Sequence, residues 1–207
     1  GNMGSAYRFA GTSDSYITTT YNGILGTSAR TVSLWVKTST VSSTGIIPFG
    51  YAGSTTPVPG ATFIGTLRRV SGSLGVGIDV QYGLIEYSAI SSDANWHHYV
   101  WIVPQMSQPK CSDVKIYQDG ILLSTVSRDI TSSQDINTVS GMAFKMGQWC
   151  CSDYFSGTID DVRIYNRALS ATEVAQLYYS ADFAHAPSAP ASLTATAGTT
   201  QNIISWP

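Results

Sequence analysis

The segment Phe155–Tyr178, FSGTIDDVRIYNRALSATEVAQLY, decides how the rest of the chain is read. Phe155, Ile159, Val162, Ile164 and Tyr165 are strand formers, and Val162 and Ile164 stand at period two. Gly157 permits a bulge or a close backbone approach. A helix start follows: Ser170 is an N-cap residue and Glu173, three positions on, completes a capping box. Val174, Leu177 and Tyr178 then give that helix one apolar face. One strand, one turn and one short helix are predicted.

Upstream, short β-forming runs alternate with Gly, Ser, Asn and Asp, the pattern of a sandwich. Asp119-Gly120, between Lys115–Gln118 and Ile121–Ser124, predicts a two-residue type I′ hairpin. The stretches Tyr51–Gly60 and Pro104–Ser112, each with two prolines, read as loops.

The closing block resembles the last strand of laminin-G-like, concanavalin-A-like jelly rolls, where F-x-G-x-I-D-D/E-V-R-I-Y-N-R-A-L-S runs into a short helix. Tyr7–Ile17 is similar to that family's opening strands, with one extra residue between Gly11 and Tyr16. Thr31–Lys37 is similar to its second conserved strand, Trp96–Trp101 to its W-H-H strand, and Ile116–Leu122 to the hairpin that follows. The resemblance spans residues 5–180 and implies an all-β fold: a two-sheet antiparallel jelly roll with one short C-terminal helix. The expected domain covers residues 1–182, and His185-Ala-Pro-Ser-Ala-Pro190 reads as a proline-rich linker within 183–190. Residues 191–207 resemble the first two strands of a fibronectin type III domain, about 20 of its ~100 residues, which implies neighbouring domains in a longer chain.

Composition narrows the function. The chain has 207 residues, 43% apolar and only 12% charged, with a net charge of −2. That balance argues against nucleic acid, which is met by a basic stripe. No apolar run approaches the ~18 residues of a membrane span, and no stretch reads as a signal peptide. The Gly-, Ser- and Thr-rich, charge-poor surface suggests a secreted or cell-surface protein. In that setting the three cysteines point to a disulfide from Cys111 to either Cys150 or Cys151. A vicinal bond and three free thiols are the alternatives, and the spacing fits no zinc site.

The fold hosts glycosidases as well as binders, so the residues must decide. Glycosidases need two carboxylates across the scissile bond. The chain has only two glutamates, Glu173 in the cap and Glu86 with no acidic neighbour, and Asp160-Asp161 are adjacent on a strand. No lyase motif, nucleophile elbow, phosphate loop or dinucleotide fingerprint occurs, and His97-His98 read as structural. The expectation is a non-catalytic extracellular module that binds carbohydrate, a cell-surface glycan for example, or otherwise a structural spacer making protein contacts. By resemblance, a structural calcium ion would be held by Asp160 with Asp14 and the Gly11 carbonyl, Asp161 substituting if a bulge turns it inward. The alternative is that Asp160 caps backbone amides and Asp161 pairs with Arg163 or Arg167. Among the five Trp and twelve Tyr, Trp35, Trp96 and Trp101 are assigned to packing. Trp149, beside the cysteine pair, is the expected sugar platform, with Tyr154, Tyr51, Tyr82 and Tyr87 as partners.

Overall fold

The computed structural model describes residues 5–39, 46–53, 57–70, 73–89, 94–149, 154–180, 194–197 and 201–205. The first strands are β1 (Tyr7–Ala10), β2 (Ile17–Thr18), β3 (Arg30–Lys37), β4 (Ile46–Ala52) and β5 (Thr62–Val70). Then come β6 (Ser73–Asp79), β7 (Leu84–Ser88), β8 (Trp96–Val103), β9 (Lys115–Gln118) and β10 (Ile121–Leu122). Strands β11 (Val126–Ile130), β12 (Lys145–Met146) and β13 (Ser156–Tyr165) lead into helix α1 (Ala171–Ser180). The hairpin β14 (Thr194–Ala197) and β15 (Gln201–Ser205) ends the described chain.

Two antiparallel sheets face each other, as the resemblance implies. One runs β10-β9-β8-β3-β13-β15-β14, with β1 also on β13; the other runs β11-β7-β6-β5-β4-β12-β2. Along β3, alternation puts Val32, Leu34 and Val36 into the space between the sheets, where Phe9, Phe49, Phe63, Trp101, Phe144 and Ile164 also lie. Burying each such side chain stabilises the fold by about 1.5–3 kcal/mol. Trp101 is fully enclosed and its indole N–H donates to the Gly77 carbonyl at 2.8 Å, tying the two sheets together. β4 continues through Ala52, so Tyr51 belongs to a strand and the loop begins only at Gly53.

Local predictions in the closing block hold. Asp119 and Gly120 have φ of 53° and 79° between β9 and β10. The Ser170 hydroxyl accepts from the Glu173 amide at 3.3 Å, and the Ser170 amide donates to the Glu173 carboxylate at 2.8 Å. Val174, Leu177 and Tyr178 face the sheet: Val174 and Leu177 pack with Val100, Ile102, Tyr117 and Tyr165, and Tyr178 stacks on Trp35. Replacing Ser170 with Ala should cost about 1 kcal/mol, a melting-point drop of about 2–4 °C that thermal unfolding would register.

The residues expected to open a second sandwich lie partly outside the described segments. Those described, β14 and β15, pair with each other, and β15 pairs with β13 through Arg163↔Ile203 and Ile164↔Asn202. The expected bridge from Cys111 is not formed. Cys111 starts a single 3-10 turn, Cys111–Asp113, that tucks its side chain into the core. There it is a free thiol, its sulfur 3.6 Å from the Ile78 carbonyl oxygen, and burial pushes its pKa up to about 12. Cys150 and Cys151 lie outside the described residues.

Candidate functional site

One cavity follows from how β13 seats between its neighbours. Gly157 has no room for a side chain: a Cβ there would stand 2.5 Å from the Lys37 carbonyl oxygen. This close approach lets the Thr38 hydroxyl donate to the Ser156 carbonyl at 2.7 Å. The register then aligns Arg8 with Thr158 and Thr158 with Lys37. Directly paired residues point to one face, and Phe9 points into the core, so Arg8, Thr158 and Lys37 form a row on the outer face. Two strand spacings separate the cations, about 10 Å.

Over this row lies a cavity of about 470 Å³ lined by Arg8, Lys37, Thr38, Ser39, Ser156 and Thr158, with Gly157 in its floor. Helix α1 covers the neighbouring rows and stops short of it. Tyr178 stacks on Trp35 with centroids 5.7 Å apart and on His98 at 6.3 Å, and Lys37 lies one outward step beyond Trp35. Among the described residues that line the cavity both charges are positive and the remaining polar groups are hydroxyls. Sequence reasoning did not find this row. Its members lie on strands about 30 and 120 residues apart, and only strand register joins them.

The expected calcium ligands are not brought together. Gly11 lies against Ser156, while Asp160 is four residues further along β13, roughly 13 Å away. Asp14 is exposed and accepts a hydrogen bond from the Thr12 hydroxyl at 2.5 Å, which lowers its pKa. Asp160 is 3% exposed; one carboxyl oxygen accepts from the Asp161 amide at 2.7 Å and the other has no partner among the described residues. Burial, and then the neighbouring Asp161 charge, push the Asp160 carboxyl up to about 7, against the lowering effect of that amide. A bulge between Asp160 and Arg163 holds Asp161 at φ 46°, and its carboxylate meets the Arg163 guanidinium at 2.7 Å. Asp160, Asp14 and Gly11 therefore do not fit one calcium shell. Among the described residues no three His, Cys, Asp or Glu side chains converge on a metal position.

Two aromatic expectations are corrected. Tyr51 is fully enclosed against Phe63 and Phe144, with its hydroxyl 3.4 Å from the Arg30 guanidinium. Trp149 is only 7% exposed and packs with Ile47, Ile64 and Met142. Gly50 leaves a dent that its ring fills; a Cβ on Gly50 would come within 2.5 Å of that ring. Neither ring offers a face to a sugar. Tyr87 is half-buried against the core, and Tyr154 is half-buried in a bridge to Gln148. Tyr82 is 58% exposed on a two-residue turn, Gln81-Tyr82, closed by the Val80 amide donating to the Gly83 carbonyl at 2.8 Å. Both turn residues have positive φ, 52° and 69°.

Both glutamates are held in ion pairs away from this cavity. Glu86 is fully buried on β7, 2.9 Å from Arg68 and 3.8 Å from Arg128. Glu173 lies beyond the other sheet, paired with Arg167 at 2.6 Å. That arginine first, and the Ser170 amide and hydroxyl next, hold its carboxyl down at about 2. His97 meets Asp119 at 2.7 Å. His98 is 1% exposed, its ring shares a hydrogen bond of 2.8 Å with Ser33, and burial pushes its pKa down to about 4.

Residues 10–175 match the family described as the concanavalin A-like lectin/glucanases superfamily, and the chain belongs to it. Comparison with curated proteins by sequence gives no match. Among solved structures, the native heptameric SAP-like pentraxin of Limulus polyphemus is similar, with TM-score 0.62, 15% identity, and 96% of this chain and 93% of that one covered. Domain 4 of AbnA, an extracellular arabinanase from Geobacillus stearothermophilus solved with arabinotriose, has TM-score 0.58 and 22% identity, covering 86% and 78%. The CBM40 of the Ruminococcus gnavus IT-sialidase has TM-score 0.54 and 15% identity, covering 74% and 84%. At these identities the likeness is one of fold.

Proposed function

We propose that this chain is a non-catalytic carbohydrate-binding module of a secreted or cell-surface protein. The observation that carries this reading is the cavity over Arg8, Thr158 and Lys37, a concave site rich in hydroxyls and cations on a sandwich whose glutamates are locked in ion pairs on opposite sides. Hydroxyls and charged donors suit the many hydroxyls of a sugar, and no carboxylate is among the described residues that line the cavity, where a glycosidase would need two. Support also comes from similar folds that hold sugars, the arabinanase domain with arabinotriose and the CBM40 with sialyllactose. No helix among the described residues is long and apolar enough to cross a membrane.

A glycan array probed with the isolated chain tests the reading. Binding to at least one glycan, without release of shortened sugars, is expected. Binding to none would return the chain to the role of a spacer making protein contacts. Within the expected aromatic set, Tyr82 is the ring to probe. Tyr82→Ala should leave stability within about 0.5 kcal/mol, being an exposed turn position. Tyr82 lies on the β6–β7 turn of the other sheet and does not line the cavity, so glycan affinity should be unchanged, and a loss by titration calorimetry would place binding at that turn instead.

A further inference from the structure

We infer that the cavity over β1, β13 and β3 selects sugars carrying a carboxylate, such as hexuronic acids, with Arg8 and Lys37 as the selecting residues. This deepens the carbohydrate-binding reading and rests on it.

The argument starts from how the other cations are used. Arg68 and Arg128 meet Glu86, Lys110 meets Asp135, Arg163 meets Asp161 and Arg167 meets Glu173. Arg30 is enclosed by backbone carbonyls. Lys145 lies over the Tyr16 ring, Arg69 has a partner of its own, and Lys115 stands outside the cavity lining, in a chain with only 11 basic residues and a net charge of −2. Arg8 and Lys37 have no ion pair and no side-chain hydrogen bond among the described residues, and both line the same cavity. Two like charges on adjacent walls repel each other mildly, and an anion placed between them relieves that repulsion.

Geometry favours a carboxylate on a sugar over a simple ion. The guanidinium of Arg8 offers a planar fork that matches a carboxylate with two parallel hydrogen bonds, while Lys37 acts as a point charge from the opposite wall. Between them Thr158 presents a hydroxyl, and Ser39 and Ser156 add further polar groups around the rim. About 10 Å between the cation-bearing strands leaves room for a ring as well as its acid group. The bare Gly157 keeps the floor low. Among the described residues, Asp160, two positions along β13 from Thr158 and on the same face, is buried outside the lining.

The test uses the whole chain and matched oligosaccharides: an oligoglucuronate and the corresponding glucose oligomer, titrated at low and at high salt. The acidic oligomer should bind at least about tenfold more tightly than the neutral one at low salt, and that preference should shrink as salt screens the exposed cations. The double variant Arg8→Gln/Lys37→Gln should lose the preference while keeping the parent's melting temperature. A second variant, Lys115→Gln, removes a cation elsewhere and should change nothing. Equal binding of acidic and neutral oligomers, or an acid preference that survives the double variant, would overturn the assignment and leave carbohydrate binding standing. Failure to bind any sugar, neutral or acidic, would overturn the broader reading and this one together.

Discussion

Arg30→Met should lower the unfolding free energy by about 3 kcal/mol, which for a chain of this size is a melting-point drop of about 6–12 °C. Arg30 opens β3 at a position whose side chain points between the sheets, and it is fully buried. No carboxylate among the described residues pairs with it. Its guanidinium instead donates to the carbonyls of Ile24, to Gly26 at 2.6 Å and to Ser28 at 2.8 Å, and to the Thr138 hydroxyl at 2.8 Å. The charged ring of donors thus fastens the loop before β3 to the loop around Thr138. Gly26 and Thr138 also exchange backbone hydrogen bonds at 2.7 and 3.2 Å. A hydrogen bond made by a charged group contributes about 1.5–3 kcal/mol, and several are lost together. Part of that loss is offset, because methionine spares the desolvation of a buried cation and leaves no unpaired charge behind. Arg30→Lys keeps the charge but cannot reach three directions at once, so its loss should fall between the parent and Arg30→Met. Urea unfolding measures both; a loss below about 1 kcal/mol for Arg30→Met would show that the backbone exchange alone holds the loop.

Arg30 also shows where sequence reading stops. A charged residue at the first position of a strand looks like a surface residue, and nothing local says that carbonyls wait for it. What was legible was local: the Ser170 capping box, the Asp119-Gly120 turn and the apolar face of α1. Those depend on residues within one or two turns of each other. The misplaced aromatics show the opposite case. Tyr51 and Trp149 both sit near glycines, and composition cannot tell an exposed platform from a ring that fills the space a glycine leaves. Gly50 settles Trp149 only once residues about 100 positions apart in the chain are brought together. The turn at Gln81-Tyr82 was invisible because neither residue is a usual one for positive φ; Asp79, accepting the Gln81 amide at 3.0 Å, helps to hold it. At Asp160-Asp161 the sequence left two readings open. The bulge favours the pairing of Asp161 with Arg163, and it keeps Asp160 in the sheet's outer layer, away from Gly11 and Asp14.

Two buried groups on that outer layer make stability respond to pH in opposite senses. His98 has its pKa pushed from 6.5 to about 4 by burial, with Arg163 adding to the fall and Asp119 opposing it. Between those values the unfolded chain binds the proton that the folded chain refuses. Stability from this group therefore falls as pH drops from about 6.5 to 4, by at most about 3 kcal/mol. Asp160 is raised from 3.8 to about 7, so between those values the folded chain keeps a proton that the unfolded chain gives up. Its effect is a loss of stability as pH rises through that window, by at most about 4 kcal/mol. Between pH 4 and 6.5 the two slopes oppose each other and the parent protein should show a shallow profile. Asp160→Asn removes one slope: this variant should be more stable than the parent at pH 8 and should weaken steadily on acidification to pH 4. His98→Gln removes the other and should gain stability over the same descent. Glu173, lowered from 4.5 to about 2, adds a loss that begins only near the acid end of this window and falls equally on all three proteins. Chemical unfolding at half-unit steps from pH 4 to 8 resolves the three profiles, and identical slopes in all of them would mean that neither group is desolvated as its burial implies. The same melts with calcium added at pH 8 discriminate further. An unchanged midpoint keeps Asp160 as a buried carboxyl, whereas a calcium-dependent rise that Asp160→Asn abolishes would give that oxygen a cation to hold.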